Sequence, residues 1–224
     1  MSKKKKSISI NQAVQAIEKH GILLVYPIQN RKKPDSLWSA FYPDDEMVWE
    51  WDEDSDDRVA QLWHLKTELG TTRRVIYAKW YQGRATYFSK EVFVNLLALA
   101  GTPHLEKSTL SNEARQILEV LEMDSPLSTK QIKLATELRG KFFERAYERA
   151  MKELWAKLFI VGFGEVEDGA FPSLAVGATK TLFEELWEEA KSVSEEDARA
   201  FLLKRFGKDS LFLSRGPLSL KIKA

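Results

Sequence analysis

Residues 111–176 constrain the fold more tightly than any other stretch of this chain. Ser111 opens a helical pattern that carries Ile117, Leu118, Val120 and Leu121 on one face, and Asp124-Ser125-Pro126 turns the chain. Ser128 and Gln131 stand at capping-box spacing, where each side chain can satisfy the other's backbone N–H, and they start a second helix reaching about Leu138. After Arg139-Gly140 a third helix is expected over Lys141 to Leu158. Phe159–Val166 and Ala170–Val176 then alternate as a hairpin turning at Asp168-Gly169. Helix, helix, longer basic helix and hairpin is the plan of a winged helix, which mostly holds nucleic acid and sometimes only pairs with protein. The stretch speaks to architecture and partners and says little about any reaction.

The remaining segments extend that plan. Asn11 is expected to cap a helix to His20, Gly21 to stop it, and Ile22–Tyr26 to form a buried strand ended by Pro27. Ser36–Tyr42 reads as a helical turn or two. A helix from about Asp56 to Leu69 follows, with Val59, Leu62, Trp63, Lys66 and Leu69 at helical spacing and Gly70 as its stop. Arg73–Tyr81 and Arg84–Phe88 form a hairpin around Gln82-Gly83, and Ser89 caps a helix to Ala100. Helices are expected at Thr179–Lys191 and, capped by Ser194, at Glu195–Phe206. The alternation of Leu218, Leu220 and Ile222 suits an edge strand or a disordered end. The expectation is an α+β chain of tandem winged-helix units, mostly helical with short β-hairpins. Its parts are a basic flexible arm (1–9), a divergent N-terminal unit (10–101), a winged-helix domain (110–177), and C-terminal helices with a tail (178–224).

Composition narrows the chemistry. The 224 residues contain no cysteine, which removes disulfides, thiolate metal sites and thiol nucleophiles. Lys3–Lys6 are not followed by the apolar block of a signal peptide, and no run reaches the length of a membrane span, so the expected location is a bacterial-type cytoplasm. The net charge of +1 hides an uneven distribution: acids crowd positions 44–57, and bases gather at Lys3–Lys6, Arg31–Lys33, Arg73–Arg84 and Lys130–Lys157. Sign asymmetry of this kind bears on association.

On a wheel of 100° per residue, Lys141, Arg145, Arg149 and Lys152 fall within about 80° of one another, opposite Phe143, Tyr147, Ala150 and Leu154. One face can enter a core while the other offers four cations to a phosphate backbone. The alternative is a solvated face in which Glu144 and Glu148 pair with those cations. Arg74, Lys79 and Arg84 are further candidates, interleaved with Tyr77, Trp80, Tyr81 and Tyr87 as suits phosphate neutralisation with base stacking. Against DNA contact stands the second hairpin, whose Glu165, Glu167 and Asp168 would repel phosphates unless it faces away or packs on the neighbouring unit. Asp52-x-Asp54-x-Asp56 fails as a calcium loop, because Asp57 stands where glycine is needed and Trp63 where a bidentate acid is needed. The three histidines have no metal-ligand spacing, and no glycine-rich phosphate loop or nucleophile elbow occurs, so neither metal nor cofactor is expected.

With those residues in place, the chain resembles the winged-helix proteins related to the bacterial DNA glycosylases that unhook interstrand crosslinks. The resemblance is carried by Leu23-Leu24-Val25-Tyr26-Pro27-Ile28 with Ser36-Leu37-Trp38, by Leu62–Leu69, and by the hairpin Val75–Lys79 with Ala85–Ser89. Leu110–Arg115 and Gly162–Phe171 complete it, over roughly residues 10–190. In that family activity rests on a glutamine, any residue, then glutamine or aspartate, set in a concave DNA channel. The nearest match is Gln29-Asn30-Arg31, where arginine replaces the second polar or acidic member. Arginine can stabilise negative charge but cannot accept a proton at neutral pH, so the catalytic assignment fails at that position and leaves Gln29 as the one matching member of the motif. The resemblance implies a scaffold associated with DNA damage. Three readings follow: a non-catalytic binder of duplex DNA using mainly backbone contacts; a protein-interaction module; and a divergent glycosylase pairing Gln29 with Asp35 or Asp52.

Overall fold

The computed structural model describes residues 8–30, 33, 35–48, 57–169 and 172–223. The fold is α+β, and its helices pack on a single six-stranded sheet. Helix α1 (Ile10–His20) starts at a capping box made by Ser9 and Gln12, so Ser9 and not Asn11 is the cap. Strand β1 (Ile22–Leu24) is shorter than the apolar run suggested. Helix α2 (Leu37–Phe41) begins at Ser36, whose hydroxyl accepts from the Ser39 N–H at 3.0 Å. Helix α3 (Asp57–Thr71) runs through Gly70, which is therefore a packing glycine and not a stop. A Cβ there would lie 3.1 Å from the backbone nitrogen of Gly164. Leu62, Leu65 and Leu69 form the buried face of α3, whereas Trp63 is 51% exposed with the Lys66 ammonium 3.8 Å from its ring centroid.

Strands β2 (Ile76–Tyr81) and β3 (Arg84–Phe88) form the first hairpin, with Gln82 and Gly83 both at positive φ in the turn. Ser89 caps α4 (Lys90–Ala100), which ends at left-handed Gly101. After two short 3₁₀ turns, Ser111 caps α5 (Asn112–Met123). Strand β4 (Leu127–Ser128) leads into α6 (Thr129–Ala135) through the Ser128–Gln131 capping box. Helix α7 spans Glu144–Ala156, so it starts three residues later than its amphipathic pattern suggested. Lys141 lies in the preceding turn, where the Phe143 N–H bonds the Gly140 carbonyl at 3.1 Å. Strands β5 (Ile160–Val166) and β6 (Ser173–Ala178) make the second hairpin.

The expected helix over 179–191 is divided by Phe183 (φ −134°, ψ 53°) into α8 (Thr179–Leu182) and α9 (Glu184–Ser192). Ser194 caps α10 (Glu195–Phe206) as expected. The tail is neither strand nor coil but two short helices, α11 (Leu211–Arg215) and α12 (Ser219–Lys223). Its apolar residues follow the helical interval: Leu218 and Ile222, four apart, pack on the core, and Leu220 between them is 81% exposed.

The strand order is β1-β3-β2-β5-β6-β4. Each half of the chain delivers the same succession of helix, short strand, helix, helix and two longer strands, and each half-sheet places its last strand between the other two. The halves join edge to edge, with β2 antiparallel to β5 and Tyr77 opposite Gly162. Only glycine suits that position, because a Cβ would overlap the Tyr77 ring. Side-chain alternation then divides the first half's interior in two. Leu23, Tyr77 and Tyr87 enter a smaller cluster with α1, α2 and α3. Ile22, Ile76 and Phe88 enter the larger one, which continues through α4, α5, α7, α9 and α10. No described helix is long and apolar enough to cross a membrane.

Candidate nucleic-acid interface

Helix α7 is amphipathic because its apolar residues recur every three or four positions. Tyr147, Ala150, Met151, Leu154 and Trp155 are buried, and Arg145, Arg149 and Lys152 on the opposite face are exposed, as is Lys141 just before the helix. The acids that might have neutralised this face are largely engaged elsewhere. Glu144 holds Lys133 of α6 at 2.7 Å. Glu153 accepts from Lys157 and from the Ser111 hydroxyl, each at 2.8 Å. Burial raises the Glu153 pKa, but the bonds from Lys157 and Ser111 outweigh it and hold the carboxyl below its ordinary value. Glu148 stays exposed. Among the described residues, Lys141, Arg145, Arg149 and Lys152 make no ion pair.

The acidic second hairpin is also engaged. Glu165 packs against α3 of the first half, with its carboxylate 3.6 Å from the Lys66 ammonium. Desolvation lowers the Lys66 pKa, Glu165 counters it, and nearby Lys79 lowers it further. Asp168 folds back on the start of α6, accepting from the Ser128 hydroxyl, while its carbonyl accepts from Lys130 at 3.1 Å. Hydrogen bonds from Ser128 and then Ser173 hold the Asp168 carboxyl below its usual value. Of the three acids, Glu167 alone is exposed.

The first-hairpin candidates separate. Arg74 donates to the Asn11 side chain at 2.6 Å near the start of α1, and Lys79 is exposed on β2 beside Lys66. Arg84, past the hairpin turn, lines a polar cleft of about 590 Å³ with Gln29, Tyr81, Asp209, Ser214 and Arg215. A second chamber of about 340 Å³ shares Asp209 and Leu211 with it, and adds Lys19, His20, Lys33, Asp35 and Arg205. Gln29 and Asn30 both take left-handed backbone, with φ of 51° and 48°. That turn is fixed by Asn30, whose side chain donates to the Met47 carbonyl at 3.2 Å and accepts from its N–H at 3.0 Å. Gln29 is thus exposed at the mouth of a cleft, and Asp35 is buried beside the adjoining chamber. Arg31, Asp52 and Lys3–Lys6 lie outside the described residues.

Sequence reasoning missed Arg215 because it sits in a tail read as strand or disorder. It also missed Arg205, which closes the end of α1 by donating to the carbonyls of Glu18 and Lys19 at 3.0 and 2.7 Å. Nothing local marks either residue, since both act across a separation of well over a hundred positions. No group of three or more potential metal ligands occurs among the described residues.

The surface therefore comprises a row of unpaired cations along α7 and a separate cleft that joins Gln29 to Arg84 and Arg215. Neither the curated proteins nor the solved structures include a match to this chain. The model of the AlkZ-related family matches residues 8–210, which is most of the sequence, and the chain belongs to that family.

Proposed function

We propose that this protein binds duplex DNA without cleaving it, as a tandem winged-helix scaffold in DNA repair. The observation that carries the reading is the α7 face, where Arg145, Arg149 and Lys152, with Lys141 before them, are exposed and unpaired while neighbouring Glu144 and Glu153 are tied to other lysines. In a winged helix the third helix is the one that meets the duplex, and the run of helix, short strand, helix, helix and two strands in each half supports reading α7 as that helix. Membership in a family related to the AlkZ DNA glycosylase supports the setting. The Glu165–Lys66 pair offsets one of the three charges expected to repel phosphates, and Asp168 is held back against the start of α6. Phosphate contacts of this type set orientation and general affinity and carry no sequence information directly.

Fluorescence anisotropy of a labelled duplex across a salt series tests the reading. Each phosphate contact contributes about −0.9 to the slope of log K against log salt, so four predict about −3.6. The double reversal Arg145→Glu with Arg149→Glu should weaken binding and flatten the slope by about 1.8. An unchanged affinity and slope would remove the proposal.

A second reading draws support from Gln29 lying at the mouth of a cleft with Arg84, Arg215 and Asp209. A divergent glycosylase would use Gln29 to orient water at a sugar carbon, with Asp209 of the same cleft as the proton acceptor. Base release from alkylated or crosslinked duplex should then be abolished by Gln29→Ala. Absence of release by the wild-type protein sinks that reading and leaves the first intact.

A further inference from the structure

The connection between α6 and α7 presents apolar side chains to solvent at the end of the cationic row. Phe142 is 89% exposed, Phe143 is 38% exposed, and Leu134 on α6 is 56% exposed. The two phenylalanine rings meet nearly at right angles, with centroids 5.1 Å apart. Their placement is held from both sides. Leu138 is buried beneath the connection, the Phe143 N–H bonds the Gly140 carbonyl, and the Lys133–Glu144 ion pair clamps the end of α6 to the start of α7. Single exposed apolar residues are ordinary, but a clustered pair of rings on a fixed turn is the informative case. The local charge identifies what would meet them. Residues 139–152 contain five cations (Arg139, Lys141, Arg145, Arg149, Lys152) against two acids, Glu144 and Glu148, and Glu144 is already neutralised by Lys133. An anionic partner with flat apolar faces between its charges fits that surface, and a base step of a nucleic-acid duplex has both properties.

We propose that Phe142 is a stacking wedge which enters a weakened base step of a duplex held against the exposed face of α7. This rests on the DNA-binding reading above and adds to it a preference for steps that unstack cheaply. Apolar side chains inserted between base pairs must overcome the stacking of that step, so a mismatched or flexible step is entered at lower cost than a well-paired one. The cations would supply affinity for any duplex, and the ring would distinguish a weakened step from an intact one.

The test compares a fully paired duplex with the same duplex carrying a central two-base mismatch flanked by 2-aminopurine. The full chain is used as wild type, Phe142→Ala and Phe142→Trp. Alanine removes a stacking contact whose loss lowers affinity by roughly 5- to 150-fold, and Phe142 is exposed enough that the fold should be unaffected. Wild type and Phe142→Trp should prefer the mismatched duplex by about tenfold or more and change the 2-aminopurine emission on binding. Phe142→Ala should bind both duplexes alike, with the wild-type salt slope. Equal preference in wild type and Phe142→Ala overturns the wedge while leaving DNA binding standing, and so does a wild type with no preference. A wild type that binds neither duplex overturns both proposals. Phosphatidylserine vesicles serve as a control: binding to them that disappears in Phe142→Ala, with DNA preference unchanged, would reassign the rings to a lipid surface.

Discussion

At the scale of single residues, type and position alone do not distinguish a structural arginine from an exposed one. The Arg73 guanidinium donates to the Leu182 carbonyl at 2.8 Å and lies over the Phe163 and Phe183 rings, so it ties the approach to β2 onto the second half of the molecule. Arg58 is buried between the Trp38 and Tyr42 rings and ion-paired with Asp45. In sequence both look like the exposed bases nearby, because what separates a structural arginine from a phosphate contact is a partner distant along the chain. His20 shows the same dependence on context. Partial burial lowers its pKa from the ordinary value of 6.5, and the neighbouring charges of Lys19 and Arg205 lower it further. The unfolded chain therefore takes up a proton at higher pH than the folded one, and stability rises with pH across that interval. Stability should be flat above about pH 7.5 and fall as the pH drops below 6.5 toward the lowered folded value. His20→Gln should flatten this part of the profile in denaturant titrations between pH 5 and 8. A variant profile that coincides with the wild type's would assign the acid sensitivity to other groups.

At the scale of elements, the features governed by local physics were legible. Ser36, Ser89, Ser111, Ser128 and Ser194 each begin a helix where the sequence placed them, because an N-cap needs only a side-chain oxygen and the amide three residues on. The first hairpin was equally plain, since alternation of its strands and a Gln82-Gly83 turn are both local. Less legible were elements shaped by packing. Gly70 reads as a helix stop, yet α3 continues because the missing side chain admits the backbone of Gly164, which sits at φ +74° in an irregular stretch of β5. The tail was misread because residues 218, 220 and 222 satisfy a two-residue and a four-residue period together, and only contact with α10 decides between them. There the Lys221 carbonyl accepts from Arg199 at 2.7 Å. The start of α7 was placed early because Lys141 fits the wheel. Whether the chain helps a cationic face or a turn is decided by the Gly140 carbonyl, which no periodicity records.

At the scale of the whole molecule, a continuous sheet fixes the two halves through β2 and β5, and α4 packs against α9 and α10 from the far end of the chain. The α7 cations and the cleft around Arg84 therefore keep fixed places on one body. Sequence could list the bases but not this arrangement: Gln29 and Arg84 meet through the fold, and Arg215 joins them only because the tail coils back as a helix. Binding a duplex across both surfaces and binding it on α7 alone differ in their response to salt. If both surfaces touch the same DNA, the slope steepens from the roughly −3.6 of α7 alone to about −5.4, and Arg84→Glu with Arg215→Glu flattens it by about 1.8, as much as the reversal on α7. Combining the two sets should then flatten the slope by about 3.6, with the free-energy losses adding within a few tenths of a kcal/mol if the sites are separate. Both surfaces are predicted to engage. Arg84 and Arg215 line one cleft with Gln29 and a single acid, Asp209, and a duplex long enough to reach that cleft from α7 would bring phosphates to both surfaces. Anisotropy titrations on duplexes of about 12 and 30 base pairs decide the point. If cleft reversal leaves the slope on the longer duplex unaltered, binding is confined to α7, and the cleft must be explained by some other ligand.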